Sequence, residues 1–531
     1  MRMNWTNPWM VGALSLALTT ACADDVVDGG DGMADDGETG GVDPGPDQGL
    51  EGIPAEGGIA VTRVEFNQGV GIDVARDGAW LDGPQRIANI VRDRKAIVRA
   101  FWDVPADFTP RPIEARLHLR YLDGTQVVKP FTLDVSGPSE PEDLAAGAFG
   151  WILEPAEMAA GMEFRVTLWE QGDGPETATP VEATDGWSLV GTEDDPAEMK
   201  ALLVPVVYMN DQGCSTDMRE LTEAQVQGFA QALADQNPTQ KVTVTMREEP
   251  IFRPNSINDP SNFFSTLQGL RIEDNADPNV YYYAIYDDCG GAAGTLGAAP
   301  GDNVPATKEA APGRVAAGRW FSAAQAPVTW GTFVHEVGHT QSFAHAPCGA
   351  DGNKPASPDP SYPYSNGIIG IWGINTRTLQ GYGPDSAFDY MGYCDPSWVS
   401  DYRWRKAYEQ IRILTSWDYE SSVDVPTPEQ HLLQGLIYED GTQEWWTTLG
   451  APTPGREFVD SSVDLQVEGG GALRLDAKVW EVQDAGQQVR MVAAALPDAV
   501  THLSQIERLD LLTAGELWTP SALELNDAVS H

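Results

Sequence analysis

Basic residues are scarce in this chain of 531 residues: 33 lysines and arginines stand against 79 aspartates and glutamates, for a net charge of −46 at pH 7. So acidic a surface repels polyphosphate and anionic lipid, which excludes nucleic acid as a partner and argues against binding to a charged membrane surface. The charge suits a soluble protein in a salty or extracellular setting. The length predicts two or three domains.

The apolar run at the N-terminus is too short to span a bilayer. "WMVGALSLAL" (9–18) follows Arg2 and fits the core of a signal peptide over residues 1–22. "TTAC" then places Cys22 after small residues, as in the lipid-modified cysteine of a bacterial lipoprotein, although Leu18 lies one place further from it than usual. We expect a lipoprotein, with simple secretion as the alternative.

Basic residues are absent from residues 23–52, which hold ten acidic residues and many glycines. Such a segment cannot bury a core, so residues 23–55 are predicted to be an acidic disordered linker. A calcium-binding interpretation lacks a complete EF-hand spacing. A solvated tether would suit a protein anchored at the cell surface.

Cysteine is also scarce, with five in the chain. If Cys22 carries a lipid, an even number remains, which in an exported protein predicts two disulfides. The sequence alone allows three pairings of Cys214, Cys289, Cys348 and Cys394.

The pattern of apolar residues divides the rest of the chain into three domains. Residues 56–195 hold strand-like segments such as "IEARLHLRYL" without a convincing helix, and predict a β-sandwich. His118 lies in one of these strands and is assigned a structural role. Residues 196–425 alternate strands with helices, at 221–238 and 402–417, and predict an α/β domain.

Residues 426–531 follow a linker at 421–430 and predict a smaller β domain. This domain contains no catalytic or metal-binding motif. Three histidines of the domain are isolated in sequence and are assigned no role: His431, His502 and His531.

Three of the chain's seven histidines lie within "HEVGHTQSFAH" (335–345). His335 and His339 are four residues apart, which on a helix places both imidazoles on one face, where they can bind one ion. His345 supplies a third ligand if the helix ends and the chain turns back. Catalytic zinc keeps three protein ligands and a water, and Glu336 adjoins the first ligand, where it can act as general base.

Met391 follows in "DYMGY", some fifty residues after the histidines. A long histidine motif followed by a Met-containing turn resembles the metzincin metalloendopeptidases over roughly residues 200–417. "AHAPCG", "YPY" and "YMGYCDPSWVSDY" look like the secreted bacterial branch of the StcE mucinase type. Matched to that family, the three histidines fall on the zinc ligands, Glu336 on the general base and Met391 on the turn methionine.

Two positions need separate treatment. Tyr393 matches a tyrosine that in some metzincins binds zinc or the tetrahedral intermediate, although a packed core tyrosine is an equal alternative. Ser342 stands where the family's motif has Gly, which reverses the chain with left-handed backbone angles. A serine there should strain the turn by about 1–2 kcal/mol without abolishing the site.

The resemblance also implies which cysteines pair. Since the Met-containing turn of that family lies close to the third histidine, Cys348 would bond to Cys394, and Cys214 to Cys289. Cys348 also lies close to His345, but an oxidised cysteine cannot act as a nucleophile, so a cysteine–histidine mechanism is disfavoured.

The resemblance therefore predicts a multidomain protein: a metzincin-like α/β zinc protease domain, flanked by an N-terminal β-sandwich and a C-terminal β domain. It would be an exported metalloendopeptidase with one Zn²⁺ that cleaves extracellular proteins or glycoproteins. It would touch the membrane only through its lipid anchor, at the cell envelope or surface. The alternative is a non-catalytic surface binding protein with a degenerate protease domain. Neither the sequence nor the resemblance predicts the oligomeric state.

Overall fold

The computed structural model describes most of the chain beyond residue 46. The described ranges are 47–144, 146–253, 257, 259–290, 296–349, 355, 357–419, 430–468, 471–484, 488–513 and 516–518. Three predicted features lie wholly or mostly outside them: the signal peptide with Cys22, the acidic linker and the linker at 421–430. The described part is a β-rich, multidomain protein with few helices.

Two antiparallel sheets and one small parallel pair form the N-terminal part. One sheet has the order β1-β10-β7-β8, with β11 and β12 also paired to β10, the other is β4-β3-β2-β6-β9, and β13 pairs with β5. The strands are β1 (Ile53–Pro54), β2 (Ala60–Asn67), β3 (Gly71–Arg76), β4 (Ala79–Trp80), β5 (Ile90–Val91), β6 (Ala96–Asp103), β7 (Arg111–Arg120), β8 (Gln126–Val135), β9 (Phe149–Leu153), β10 (Glu163–Glu170), β11 (Val181–Glu182), β12 (Ser188–Leu189) and β13 (Thr192–Glu193).

The alternating pattern of these strands explains how the two sheets meet. Ile113, Ala115 and Leu117 of β7 are buried, while the residues between them are partly exposed. Phe66 of β2 contacts Phe164 of β10 across the interior, with ring centroids 5.8 Å apart. One apolar face from each sheet therefore fills a shared core.

The central part combines a seven-stranded sheet with four α-helices. The sheet has the order β15-β14-β18-β20-β19, with β16 and β17 also paired to β14. The elements are β14 (Glu198–Met209), β15 (Ser215–Asp217), α1 (Glu223–Gln236), β16 (Lys241–Met246), β17 (Ile251–Arg253), α2 (Phe264–Glu273), β18 (Val280–Tyr286), β19 (Gly297–Ala298), β20 (Val315–Arg319), α3 (Ala326–His339), β21 (Gly373–Ile374), β22 (Gly381–Tyr382), β23 (Phe388–Asp389), β24 (Ser397–Trp398) and α4 (Asp401–Ser416).

Strand β14 forms the middle of this sheet because its run of apolar residues can be buried on both faces. It pairs in parallel with β16, β17 and β18. The alternating pattern of residues 241–252 is typical of one strand, whereas the structure divides that segment into β16 and β17. Helix α2 was not predicted; it is short and its apolar residues show no clear period.

The two predicted helices are present. Thr222 caps α1 by accepting a hydrogen bond from the Gln225 amide, and Phe229 and Leu233 of that helix are buried. Helix α4 begins after Ser400, whose hydroxyl accepts a hydrogen bond from the Arg403 amide. Its buried face carries an apolar stripe, formed by Trp404, Tyr408, Ile411 and Leu414.

One antiparallel seven-stranded sheet forms the C-terminal part, in the order β26-β25-β29-β28-β27-β30-β31. Trp446 on one face donates a hydrogen bond of 2.8 Å to the Oε1 atom of Gln268 in α2, so this face packs against the central part. The strands are β25 (His431–Ile437), β26 (Gln443–Leu449), β27 (Val459–Val467), β28 (Gly471–Glu481), β29 (Arg490–Ala495), β30 (Ile506–Thr513) and β31 (Glu516–Trp518).

Hydrogen bonds also join the N-terminal sheets to the central part. Trp398 donates from Nε1 to the Gly69 carbonyl at 2.7 Å, and Trp404 donates to the Asn89 carbonyl at 2.9 Å. The Gly71 amide donates to the Trp372 carbonyl at 2.9 Å. These indole and backbone groups satisfy one another at a buried junction.

Two disulfides link the cysteines in the described ranges, Cys214 to Cys289 and Cys348 to Cys394. Both pairings are those that the resemblance implied. Disulfides are typical of exported or extracellular proteins. Within the described ranges, no helix has the length and apolar character needed to cross a membrane.

Candidate metal centre

Helix α3 presents two histidines of the motif on one face. Phe333 anchors the helix by packing edge-on against Phe229 and Tyr283, with ring centroids 5.1 and 4.8 Å apart. His335 and His339 follow one turn apart, and their Nε2 atoms lie 3.2 Å from each other. The predicted helical placement of both side chains is therefore present.

The chain reverses at Ser342, directly after the helix. Ser342 has a φ of 66°, the left-handed conformation expected where the motif usually has Gly. The Ser342 and Phe343 amides donate to the carbonyls of His339 and Gly338 at 2.9 and 3.1 Å, which closes the end of the helix. The reversal brings the ring of His345 to 4.6 Å from the ring of His339.

Backbone carbonyls fix the orientation of two of the three imidazoles. Nδ1 of His335 lies 2.7 Å from the Tyr390 carbonyl, and Nδ1 of His339 lies 2.8 Å from the Phe343 carbonyl. A carbonyl can only accept, so both Nδ1 atoms carry the proton and both Nε2 atoms of the neutral rings offer a lone pair. This tautomer is the one that a metal ion requires.

Met391 lies directly beneath α3. It is fully buried, and a Cβ atom added at Gly338 would lie 2.4 Å from its Sδ atom. The Met391 carbonyl accepts a hydrogen bond of 2.9 Å from the Ala346 amide. The turn therefore supports both the helix and the segment that follows His345, and the Cys348–Cys394 disulfide joins the same two segments.

A buried arginine connects this turn to the third histidine. Arg403 of α4 donates to the Ala344 carbonyl at 2.5 Å and forms ion pairs with Asp359 and Asp389 at 3.2 and 3.4 Å. Asp389 in turn accepts from the Met391 amide at 3.0 Å, and the Asp359 amide donates to the His345 carbonyl at 2.8 Å. The side chains of Arg403, Asp359 and Asp389 are fully buried. Attraction between the arginine and the two carboxylates therefore offsets the cost of removing their charges from water.

The C-terminal sheet supplies a carboxylate to the histidines. Asp484 lies between β28 and β29, and its Oδ2 atom is 2.7 Å from Nε2 of His335 and 3.5 Å from Nε2 of His339. Its Oδ1 atom is 2.9 Å from Nε2 of His345. The sequence shows no chemical motif in the C-terminal domain, and Asp484 was not predicted, because sequence spacing cannot show a contact across about 140 residues.

Charges in this cluster shift one another's pKa values. Burial alone would raise the pKa of Asp484, but attraction to His345 and His335 outweighs burial and holds it well below the ordinary range. Burial lowers the pKa of His339 to about 4. Burial also disfavours a charge on His335, yet Asp484 more than offsets this and raises the pKa of that ring.

The four groups fit a bound metal ion. Their ligand atoms all lie within 4.8 Å of one another. Tetrahedral zinc with nitrogen ligands at about 2.05 Å places neighbouring ligand atoms about 3.3 Å apart, close to the 3.2 Å between the Nε2 atoms of His335 and His339. Because these two atoms also face the Asp484 carboxylate in a buried site, a proton or a cation has to lie between the groups.

Glu336 lies beside the histidines and faces a cleft. It is buried, and among the described residues its Oε2 atom has no hydrogen-bond partner. It packs against strand β19, where a Cβ atom at Gly297 would lie 2.7 Å from its Oε1 atom. Burial, and to a lesser degree the charges of Asp484 and Asp259, raise the pKa of Glu336 well above its usual range.

The cleft has a volume of about 1120 Å³. His335, Glu336 and Asp484 lie at its base, and Trp330 and Tyr382 are among the residues of its walls. Tyr382 stacks on Trp398 with ring centroids 4.2 Å apart. A cleft of this size admits an extended chain segment.

Tyr393 lies at the edge of the cluster. The residue is 36% exposed, so it is not the packed core tyrosine considered as an alternative. Its hydroxyl lies 3.0 Å from Nε2 of His345 and donates a short hydrogen bond to Asp484. Burial of the hydroxyl raises the pKa of Tyr393, so the phenol keeps its proton at neutral pH.

The sequence predicted the histidines, Glu336, Met391 and Tyr393 as site residues, and the structure brings all of them together. Asp484, Arg403 and the two aspartates that Arg403 binds were not predicted. Asp359 and Asp389 carried no spacing signal. An arginine within the apolar stripe of the 402–417 helix was the one available sign that α4 buries a charge.

No protein-family model matches this chain, and no curated protein matches it. A structure described as a chaperone–substrate complex aligns with 11% identity over 50% of this chain and 39% of that one, with a TM-score of 0.22. A calcium-binding mutant of Bacteroides uniformis beta-glucuronidase 2 aligns with 10% identity over 43% and 28% of the two chains, with a TM-score of 0.11. The chain spans less than half the length of either structure. Similarity this low supports no conclusion about fold or function.

Proposed function

We propose that this protein is an exported zinc metalloendopeptidase of the metzincin type. The observation that carries the proposal is the convergence of three imidazole Nε2 atoms beside a buried carboxylate at the base of a cleft. His335, His339 and His345 would hold the ion. Zinc in such a site acts as a Lewis acid and lowers the pKa of a bound water to about 7.

The residues around the ion have separate roles in peptide hydrolysis. Glu336 takes a proton from the attacking water and passes it to the leaving amine. The hydroxyl of Tyr393, which lies 3.0 Å from His345 Nε2, donates a hydrogen bond to the oxyanion of the tetrahedral intermediate. Met391 and Arg403 touch no substrate and act by positioning the histidines.

The substrate is an extracellular protein or glycoprotein, bound along the cleft. The disulfides and the N-terminal sequence support export, and lipidation at Cys22 would hold the enzyme at the bacterial cell envelope. Secretion without an anchor is the alternative. The acidic surface is consistent with this location, since it disfavours binding to nucleic acid or anionic lipid.

A second candidate is a non-catalytic surface binding protein with a structural metal site. Asp484 favours it, because three histidines and a carboxylate make four ligands and leave no place for water. A closed structural site gives Glu336 no role, yet this residue lines the cleft, and its Oε2 atom has no hydrogen-bond partner among the described residues. For that reason we prefer the enzyme.

The test is cleavage of casein and a mucin-like glycoprotein by the purified protein, alongside its zinc content. Glu336→Gln and chelator treatment should abolish cleavage, whereas Glu223→Gln, at an exposed position of α1, should not. Each of these proteins is also assayed with the additional substitution Asp484→Ala. This removes the carboxylate that could block the metal, so a blocked site is not mistaken for an inactive one. Equal cleavage by all forms would overturn the proposal, and so would zinc binding without cleavage in every form.

A further inference from the structure

The segment that carries Asp484 lies against the edge of the central sheet. Gln483 forms an antiparallel bridge with Ala299, directly after the edge strand β19. An extended segment that pairs with a sheet edge is a common form of peptide recognition. The segment that follows β28 therefore pairs with the sheet edge through one bridge, beside the cleft that Asp484 lines.

Two side chains of the C-terminal part hold the segment of Asp484 against the central part. Trp480 is buried and donates from Nε1 to the Pro300 carbonyl at 2.6 Å. Arg456, also from the C-terminal part, donates to the Ser342 carbonyl at 3.1 Å and pairs with Asp359 at 3.1 Å. The C-terminal sheet thus binds both the cleft edge and the loop that carries the third histidine.

Asp484 itself adopts a left-handed conformation, with a φ of 58°. Such a conformation is uncommon outside glycine, and it persists where surrounding contacts compensate its cost. The compensating contacts here are those of its carboxylate with His335, His345 and Tyr393. The backbone is bent at the residue whose side chain enters the metal centre.

We propose that Asp484 is a fourth metal ligand that holds the enzyme latent, and that displacement of its segment opens the site. This inference rests on the proposed function. The Asp484 carboxylate occupies the fourth ligand position, which a catalytic water molecule would need. It also accepts the hydrogen bond from the Tyr393 hydroxyl, which the oxyanion of a reaction intermediate would accept in the open site. Activation exchanges the carboxylate for a water molecule and breaks no covalent bond.

The test combines metal binding with probe binding, so that it does not depend on activity alone. Zinc affinity is measured by competition with a chromogenic chelator for wild type, Asp484→Ala and Asp484→Asn. Asp498→Ala, at an exposed turn of the same sheet, is the control. The Co²⁺-substituted proteins are then titrated with acetohydroxamate while their visible absorption is recorded.

We expect Asp484→Ala to bind zinc about 10- to 100-fold more weakly. It should also bind acetohydroxamate, whereas wild type and Asp498→Ala should not. The acetohydroxamate affinity of Asp484→Asn should lie between those of wild type and Asp484→Ala. Casein cleavage should rise by roughly tenfold or more in Asp484→Ala. The inference is overturned if Asp484→Ala matches wild type in zinc affinity and probe binding. Probe binding without proteolysis would instead refute the proposed function and leave Asp484 as a ligand that closes the site.

Discussion

A Cβ atom added at Gly338 would lie 2.4 Å from the Sδ atom of Met391, closer than such atoms approach in folded proteins. The helix that carries two candidate metal ligands thus packs on the Met-containing turn at a point where only glycine fits. In the same turn, the Tyr390 carbonyl accepts a hydrogen bond from Nδ1 of His335. The position of the first ligand and the packing beneath it are therefore coupled.

We predict that Gly338→Ala destabilises the protein by about 1–3 kcal/mol, because the added methyl group overpacks this contact. Gly331→Ala in the same helix is the control, since nothing lies within 4 Å of its added Cβ atom. The control should be stabilising by up to about 1 kcal/mol. Urea denaturation of both variants checks this, and equal stability of the two would contradict the packing argument.

Ser342→Gly should stabilise the protein by about 0.5–1 kcal/mol. Glycine relieves the strain of the left-handed backbone, although its greater freedom in the unfolded chain offsets part of the gain. Among the described residues the serine hydroxyl has no hydrogen-bond partner, so its loss costs little. Ser342→Val should destabilise by more than about 1 kcal/mol. A glycine variant less stable than the valine variant would sink this explanation.

Arg403→Leu should destabilise the protein by about 3–5 kcal/mol and weaken zinc binding, because it leaves the buried Asp389 without its arginine and removes one of the cations that pair with Asp359. Arg405→Leu is the matched control, since this arginine is exposed on the same helix. Denaturation and chelator competition measure the two effects. Unchanged zinc affinity in Arg403→Leu would show that the network does not position His345.

The two disulfides should differ in their effect on the metal centre. Replacing either pair by serine should cost about 4 kcal/mol of stability in the chain-entropy model. Only Cys348→Ser with Cys394→Ser should also lower zinc affinity, because that bond joins the segment after His345 to the Met-containing turn. The Cys214–Cys289 pair is the control, and equal losses of zinc affinity in both would refute a local role.

His118 should make the protein less stable in acid. Its Nδ1 atom donates to the Gln48 carbonyl, its Nε2 atom accepts from the Thr167 hydroxyl, and burial lowers its pKa to about 4. Because the folded pKa lies below the unfolded value of 6.5, the stabilisation is complete above pH 6.5. It is lost as the pH falls towards 4, by up to about 3 kcal/mol.

The measurement for His118 is the free energy of unfolding between pH 8 and 4. His118→Gln should be less stable than wild type at pH 8 but should lose less stability on acidification. His502→Gln, at an exposed position, should follow the wild-type curve. Parallel curves for all three proteins would rule out this residue as the source of acid sensitivity.

Local patterns predicted much of this structure because their causes are local. The spacing of His335 and His339 reflects one turn of helix, and Thr222 begins α1 through its own side chain. The apolar run of β14 shows that both its faces are covered. Asp484 and Arg456 reach the metal centre only because the C-terminal sheet docks there, and no short-range pattern records such docking. Helix α2 was missed because packing against the C-terminal sheet, rather than its own sequence, defines its apolar face.

The hydrogen bond from Trp398 to the Gly69 carbonyl has a consequence for the evolution and engineering of this protein. Trp398 also stacks on Tyr382, which lines the cleft, so the N-terminal sheets support one wall of the cleft through this tryptophan. The N-terminal part is therefore not an exchangeable module. Exchanging it for another β-sandwich would change the shape of the cleft wall, even with every residue of the candidate metal centre unchanged.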